Sequence, residues 1–302
     1  MAPIAGISHL LNPLATSLQL ETSASQLDGV PKDLEDTIRF ETARLTQAAG
    51  ILLRLPQEII AQSIILLQRF WLGPDGGSLL EHDAKDVAAA CLFLTAKPSA
   101  NAKTPRQILT TFAYLSSMQP GQISSTTIED KLSSSWRLSD GEYEIARSTL
   151  YDVEAHVLRA LGFQTHVVLP YTLCINYLQA LDVFKTGAAG SLVAKAAFAR
   201  LNSALLSPQL LYLTHQPSAL ATASIYLAAR ETDVKLPEVE WWEVFDVDRE
   251  ELGFLIVALL SVNSYAVEVT RNWATRKVPM SVDEVQADIE RHQMLESEPS
   301  KQ

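Results

Sequence analysis

The chain has 302 residues, of which 47% are hydrophobic and 20% are charged. This length allows two ordinary domains with sizeable cores. The formal net charge of −11 argues against a nucleic-acid backbone as the main partner, because such binding draws most of its affinity from Lys and Arg.

Cysteine and histidine usage gives no sign of a metal centre. The two cysteines, Cys91 and Cys174, lie in apolar helical stretches, and the six histidines are scattered without the close spacing of metal ligands. We therefore expect buried thiols in a reducing compartment, with no metal and no cofactor.

The first 32 residues mix apolar residues with Ser, Thr and Pro, which indicates a flexible arm. The first basic residue is Lys32, so the signatures of secretory and transit peptides are missing. We expect no segment to reach membrane-spanning length without a charge or a break.

The next part of the chain has the periodicity of five helices. They are predicted over 33–50, from Pro56 to the Gly/Pro-rich turn at 73–77, over 82–97, from Thr104-Pro105 to about 117, and over 141–161. Pro56 and Pro105 stand at helix starts, where their missing N–H costs nothing. Residues 118–140 are rich in Ser, Thr and Gly, which predicts a long loop.

The second half repeats this organisation. Helices are predicted over 170–183, 191–205, 216–230, 237–245 and 249–265. A charged surface helix is predicted over 281–295.

An internal repeat relates the two halves. Residues 87–97 (VAAACLFLTAK) match residues 220–230 (LATASIYLAAR), with four identical positions and mostly close replacements elsewhere. Each copy predicts a helix without a wide polar face, which must lie inside a bundle. We therefore predict a duplicated all-α unit, each half built around one alanine-lined central helix.

Several of these segments together resemble the cyclin family, most closely cyclin L and its transcriptional relatives. They are 47–57 (QAAGILLRLPQ), 67–70 (LQRF), 88–97 (AAACLFLTAK), 154–163 (EAHVLRALGF) and 226–230 (YLAAR). The resemblance covers about residues 33–275. It implies an all-α fold of two tandem five-helix cyclin boxes, with a flexible N-terminal arm and a short C-terminal helix. The implied boundaries are 1–32 for the arm, 33–166 and 167–275 for the boxes, and 276–302 for the C-terminal helix and tail.

The resemblance also implies a function. Cyclins bind and activate cyclin-dependent kinases and have no catalytic site of their own. By motif, Lys97 and Glu154 form the polar centre of the kinase contact, and Leu94, Leu158 and Phe163 supply apolar contacts around it. Taken alone, a Lys at a helix end and a Glu within a helix are usually solvated surface residues.

The chain departs from the family after Lys97. Family members commonly carry two acidic residues there, whereas this chain continues with Pro98-Ser-Ala-Asn101. The substrate-docking signature of cell-cycle cyclins is also missing, which favours a transcriptional type over a mitotic one. The resemblance to the transcriptional cyclins implies a nuclear role in RNA polymerase II transcription or RNA processing.

Two alternatives differ in class. One is a cyclin-fold transcription scaffold that binds initiation factors or nucleic acid without activating a kinase, which would need a basic surface. The other is an enzyme, for which no catalytic constellation emerges. Asp83, Asp86 and the acidic stretch 246–251 fit solvated faces, and Trp241-Trp242 fit core and rim positions.

Overall fold

The computed structural model describes residues 11–73, 76–117, 136–273 and 280–297, and these residues form helices and no strands. The predicted all-α class is confirmed. Two 3-10 turns, Val183–Thr186 and Glu243–Phe245, accompany the α-helices. The α-helices are, in chain order, α1 Ser17–Glu21, α2 Ala24–Leu27, α3 Lys32–Leu52, α4 Gln57–Leu72, α5 Ala84–Ala96, α6 Pro105–Ser117, α7 Asp140–Ala160, α8 Tyr171–Ala180, α9 Ala188–Ala204, α10 Leu211–Thr214, α11 Pro217–Glu231, α12 Arg249–Asn272 and α13 Val282–Ser297.

The chain forms two compact units. The first unit comprises residues 17–165 and 269–302, and the second comprises residues 1–16 and 166–268. Residues 1–10 of the predicted arm and 118–135 of the predicted Ser-rich loop lie outside the described residues.

Helix α5 is the central element of the first unit. It contacts α3, α4, α6 and α7, and 11 of its 13 residues are buried. Ala88 and Ala90 are completely buried, so neighbouring backbones approach closely at these positions. The predicted alanine-lined central helix is confirmed in this unit.

Helix α11 has the same place in the second unit. It contacts α8, α9 and α10, and Ala221, Ala223 and Ala228 are completely buried. The two copies of the sequence repeat are therefore both core helices, one in each unit.

The prediction of a helix over 237–245 is wrong. Residues 237–242 are not part of a helix, and only the short 3-10 turn Glu243–Phe245 forms. Asp246 then adopts a left-handed backbone with φ of 58°, which ends the turn. Trp241 is buried and Trp242 is half-buried, as expected for core and rim positions.

The segment before α3 is packed against the first unit at α2, where Ser23 and Ser25 are buried. Ser23 Oγ and Gln26 Nε2 donate hydrogen bonds of 2.6 and 2.7 Å to the carboxylate of Glu35, which is completely buried in α3. Arg39, one turn later and also buried, forms an ion pair with the same carboxylate. This buried network joins α2 to α3.

The C-terminal helix α13 is less exposed than its charged sequence predicts. Val285 and Asp288 are buried, and the backbone N–H of Val282 donates to Asp83 Oδ1 at 2.9 Å. Asp83 therefore has a structural role at the start of this helix. The interpretation of Asp83 as part of a solvated face was wrong.

By length and composition alone, helix α12 is apolar enough to cross a membrane, contrary to the expectation from sequence. Its most apolar stretch is 33% buried. The buried residues Leu252, Leu255, Leu259 and Val262 recur every three or four positions, which is the pattern of a helix packed on one side.

The close packing of the two central helices can be tested by adding volume. We expect Ala90→Leu in α5 and Ala223→Leu in α11 each to lower the free energy of unfolding by about 1–3 kcal/mol, because a dense core must be displaced. Urea denaturation followed by circular dichroism measures this. The control is Ala199→Leu at an exposed position of α9, which should be nearly neutral. Equal effects at all three positions would contradict the packing.

The buried Glu35 network gives a second test. We expect Glu35→Gln to destabilise the first unit by up to about 3–5 kcal/mol, because it removes the nearest counter-charge of the buried Arg39 guanidinium and leaves only the Asp36 carboxylate, 3.9 Å away. The matched control is Glu41→Gln, since Glu41 pairs with the exposed Arg44 at 2.8 Å and such a pair contributes about 1 kcal/mol or less. A loss at Glu35 no larger than the loss at Glu41 would show that the network is not needed.

Candidate kinase-docking site

Lys97 stands where α5 leaves the core. Every residue from Val87 to Ala96 is buried, whereas the Lys97 side chain is 53% exposed. Its ammonium lies 5.3 Å from the ring centre of Phe93, one helical turn earlier, so the ring face adds a cation–π contact. Because the preceding residues of α5 are buried, the Lys97 ammonium lies at a fixed position on the surface.

Glu154 meets this cation from the middle of α7. Lys97 Nζ donates to Glu154 Oε1 at 2.5 Å, and the Glu154 side chain is only 8% exposed. The flanking buried residues Leu150 and Val157 hold this face of α7 against the core. The structure therefore brings together the two residues predicted as the polar centre, with the carboxylate inside and the ammonium at the surface.

Helix α7 is fixed along its length by several devices. Ser139 and Glu142 form a capping box at its start, and these hydrogen bonds from Ser139 lower the pKa of Glu142. Near Glu154, the ring of His156 lies 4.6 Å from that of His82, and both pack edge-on against Phe70. Burial lowers the pKa of His82, and the neighbouring His156 lowers it further. The neutral form of this histidine is therefore favoured in the packed pair.

The three predicted apolar contact residues differ in exposure. Leu94 is buried in the core, Leu158 is half-buried, and Phe163 is 69% exposed. Of the three, Phe163 presents the largest free apolar surface.

The backbone at Phe163 explains this exposure. Gly162 and Phe163 have φ values of 56° and 61°, in the left-handed region, and the N–H of Phe163 donates to the carbonyl of Leu158 at 2.8 Å. This is the closing turn of α7, in which the C-cap Leu161 is followed by a glycine in the left-handed conformation. A bulky residue with positive φ is uncommon, and such strain is concentrated at functional sites.

Two further exposed residues of α7 were not predicted from the sequence. Tyr151, which is 45% exposed, lies beside Phe93 with ring centres 6.1 Å apart, and Ile145 is 72% exposed one to two turns earlier in α7. Only three of the 21 residues of α7 are buried. Ile145 and Tyr151 are six residues apart, so they lie about 120° apart around the helix axis, and only Tyr151 lies beside Phe93 and the Lys97–Glu154 pair.

The contacts between α5 and α7 show that the two helices run parallel. Lys97 meets Glu154 and Phe93 meets Tyr151, whereas Lys85 and Ile145 line one open pocket of about 290 Å³ near the starts of both helices. Apolar atoms of α5, α6 and α7 form most of this pocket. Burial raises the pKa of Asp86 at its rim.

The described residues hold no group of three or more His, Cys, Asp or Glu side chains that could bind a metal ion. Cys91 and Cys174 are buried, and burial raises the pKa of both thiols, that of Cys174 to about 12. Both thiols are therefore protonated and unreactive at neutral pH.

No family model matches the chain. Curated relatives are similar over most of it: Cyclin-L1-1 of Arabidopsis thaliana is 30% identical over 235 residues, and Cyclin-L1 of Danio rerio is 27% identical over 272 residues. These matches cover 78% and 88% of this chain, and 52% and 51% of the relatives. The chain is related to the cyclin L proteins. The resemblance inferred from the sequence motifs is thereby confirmed, and the chain spans about half the length of the curated relatives it matches.

Solved structures agree with a cyclin fold. The chain matches a chain in the crystal structure of the yeast RNA Pol II CTD kinase CTDK-1 complex with a TM-score of 0.64 and 14% identity, covering 96% of this chain and 90% of the other. It also matches a chain of the CAK complex of Chaetomium thermophilum, with a TM-score of 0.57, 13% identity, and coverage of 88% and 79%. The all-α fold predicted from the sequence agrees with these neighbours.

The unequal burial of the Lys97–Glu154 pair predicts unequal mutational effects. We expect Lys97→Met to lower the free energy of unfolding by about 1–3 kcal/mol, because it leaves a buried carboxylate unpaired. Glu154→Gln should cost about 1 kcal/mol or less, since the half-exposed Lys97 regains water and the amide still accepts a hydrogen bond. Urea denaturation of both variants tests this.

A surface pair provides the control for this measurement. Lys85 and Asp86 lie 4.0 Å apart and are both partly exposed, so Lys85→Met should be nearly neutral. A larger loss for Glu154→Gln than for Lys97→Met would contradict the assignment of Glu154 as the buried partner.

Proposed function

We propose that the chain is the regulatory cyclin subunit of a cyclin-dependent kinase, which it binds and activates without a catalytic site of its own. The observation that carries the proposal is the Lys97–Glu154 pair at the edge of the exposed surface of α7. The relation to the cyclin L proteins supports it.

The Lys97–Glu154 pair suits this task physically. Glu154 and the adjacent core hold the ammonium in one position, while about half of the Lys97 side chain stays accessible. An ammonium has three donors, so those not used by Glu154 can reach carbonyl or carboxylate oxygens of a partner. Hydrogen bonds to charged groups contribute about 1.5–3 kcal/mol when partly buried.

The apolar residues near the pair would supply the rest of the contact. Tyr151 and Phe163 are exposed large side chains of α7 and its closing turn. Aromatic residues that become buried at an interface are the usual sources of binding energy. We define the α7 docking surface as Lys97, Glu154, Tyr151 and Phe163.

Activation would follow from rigidity. A protein kinase is active only when a conserved Lys pairs with a Glu of its regulatory C-helix, so the position of that helix controls activity. The docking surface is built on a buried helix, α5, and a capped helix, α7. It can therefore hold the kinase C-helix inward while losing little conformational entropy of its own on binding. Leu94 and Leu158 contribute by fixing this surface from below.

The finer assignment is a nuclear role in RNA polymerase II transcription or RNA processing. The similarity to the cyclin L proteins supports this, as does the fold shared with a subunit of a yeast RNA Pol II CTD kinase complex. The net charge of −11 disfavours the alternative of a scaffold bound directly to nucleic acid.

The α7 docking surface can be tested at Phe163. We expect Phe163→Asn to lower the affinity for the kinase by on the order of tenfold or more, because it removes an exposed aromatic anchor. The fold should be retained, since Asn tolerates the left-handed backbone of this position. The kinase is first identified by affinity purification of the chain from its host, and binding is then measured by calorimetry with purified proteins.

Leu192→Ala is the control, because Leu192 is 58% exposed in the second unit and outside the docking surface. It should bind the kinase normally. Kinase activity on a Ser/Pro-rich peptide should rise on adding the wild-type chain and rise less with Phe163→Asn. Purification of the chain without any kinase, together with DNA retention at physiological salt, would overturn the proposal in favour of the scaffold.

A further inference from the structure

The chain contains two Ser/Thr-Pro dipeptides, Thr104-Pro105 and Ser207-Pro208. Proline-directed protein kinases select a hydroxyl that is followed directly by proline. The two motifs differ in solvent exposure. Thr104 is exposed, whereas Ser207 is 2% exposed and lies beside the buried Leu205 and Leu210.

The segment around Thr104 is free to enter a kinase active site. Residues 102–104 are coil between α5 and α6, and Arg106 and Gln107 after the proline are exposed. The hydrogen bonds formed around residues 98–104 all connect residues at most four positions apart. The first joins Ser99 to Ala96, and the last joins Ile108 to Thr104. Extending this segment therefore breaks no tertiary hydrogen bond of the described residues.

The surroundings can hold a phosphate once it is attached. Thr104 Oγ1 already accepts a hydrogen bond from the backbone N–H of Gln107 at 3.3 Å. Lys103 and Arg106 flank the position, and Arg106 is 58% exposed, with its guanidinium 4.2 Å from the ring centre of Tyr143 and 3.3 Å from Asp140. A phosphate carries nearly two negative charges and strong acceptor oxygens, so it would compete with the exposed Asp140 for Arg106.

We propose that Thr104 is a phosphorylation site for a proline-directed Ser/Thr kinase, and that the phosphate is bound by Arg106 and the first amides of α6. The γ-phosphoryl group of ATP is transferred to Thr104 Oγ1. The new bond joins oxygen to phosphorus, the bond between the γ-phosphorus and the β,γ-bridging oxygen breaks, ADP leaves, and the hydroxyl proton passes to the general base of the kinase. The site goes beyond the proposed regulatory role and does not depend on it.

The modification would change the connection that directly follows Lys97. It would replace a neutral hydroxyl with a dianion between two cations, and it would draw Arg106 of α6 away from Asp140 of α7. The predicted result is a more firmly ordered first turn of α6.

The test uses the full chain, ATP with Mg²⁺, and a purified proline-directed kinase that is active without this chain. Intact-mass measurement should show one added phosphate, located at Thr104 by peptide fragmentation. Pro105→Ala should lower the modification at least tenfold although the hydroxyl remains, and Thr104→Ser should retain it. Ser207→Ala should change nothing.

Hydrogen exchange tests the phosphate's partner. The amides of Gln107 and Ile108 should exchange about threefold more slowly after phosphorylation, and Arg106→Gln should remove most of this protection while the phosphate is still added. No phosphate at Thr104, while a Thr-Pro peptide control is modified, would overturn the site. Protection unchanged by Arg106→Gln would overturn the role of Arg106. Because the kinase acts independently, either failure leaves the cyclin function untouched.

Discussion

The structure of the first unit depends on the burial of α5 from Val87 to Ala96. No residue of this stretch is exposed, because four neighbouring helices cover it and its alanines let their backbones approach closely. Lys97 follows Ala96 as the residue where the chain first reaches solvent. The position of the proposed docking cation is therefore a consequence of core packing rather than of local loop structure.

Glu154 connects the packing of α7 to this cation. A buried carboxylate needs a partner, and Lys97 provides it from the adjacent parallel helix. Most of α7 stays uncovered in this arrangement, with Tyr151 exposed beside the pair and Phe163 exposed on the closing turn. A fold that covers α5 so completely yet leaves large apolar side chains on α7 is consistent with a surface kept free for a partner.

Much of this arrangement could be predicted from the sequence. The repeat of 87–97 at 220–230 identified both central helices, and Pro56 and Pro105 marked the starts of α4 and α6 closely. The helix predicted over 237–245 failed because apolar spacing over a short stretch does not distinguish a helix from packed coil. The short helix α10 was missed, since its four residues are too few to show periodicity.

The candidate site was predicted less completely than the fold. Motifs nominated Lys97 and Glu154, but their contact spans 57 positions and depends on the register between α5 and α7, which no local pattern records. Tyr151 and Ile145 were missed for the same reason, because exposure follows from what neighbouring helices cover. The burial of Glu35 and Asp288 could not be predicted from the sequence either, since acidic residues are rarely buried unless paired and their partners are set by the fold.

Site-specific photo-cross-linking in the native host would show whether a kinase contacts α7. A photoreactive amino acid would replace Tyr151 on the α7 docking surface or, as a control, Leu192 in the second unit. The probe at position 151 should cross-link to the small lobe of a cyclin-dependent kinase, and the probe at 192 should not. Equal kinase capture from both positions, or no kinase captured from position 151 by a folded chain, would contradict a kinase contact at α7.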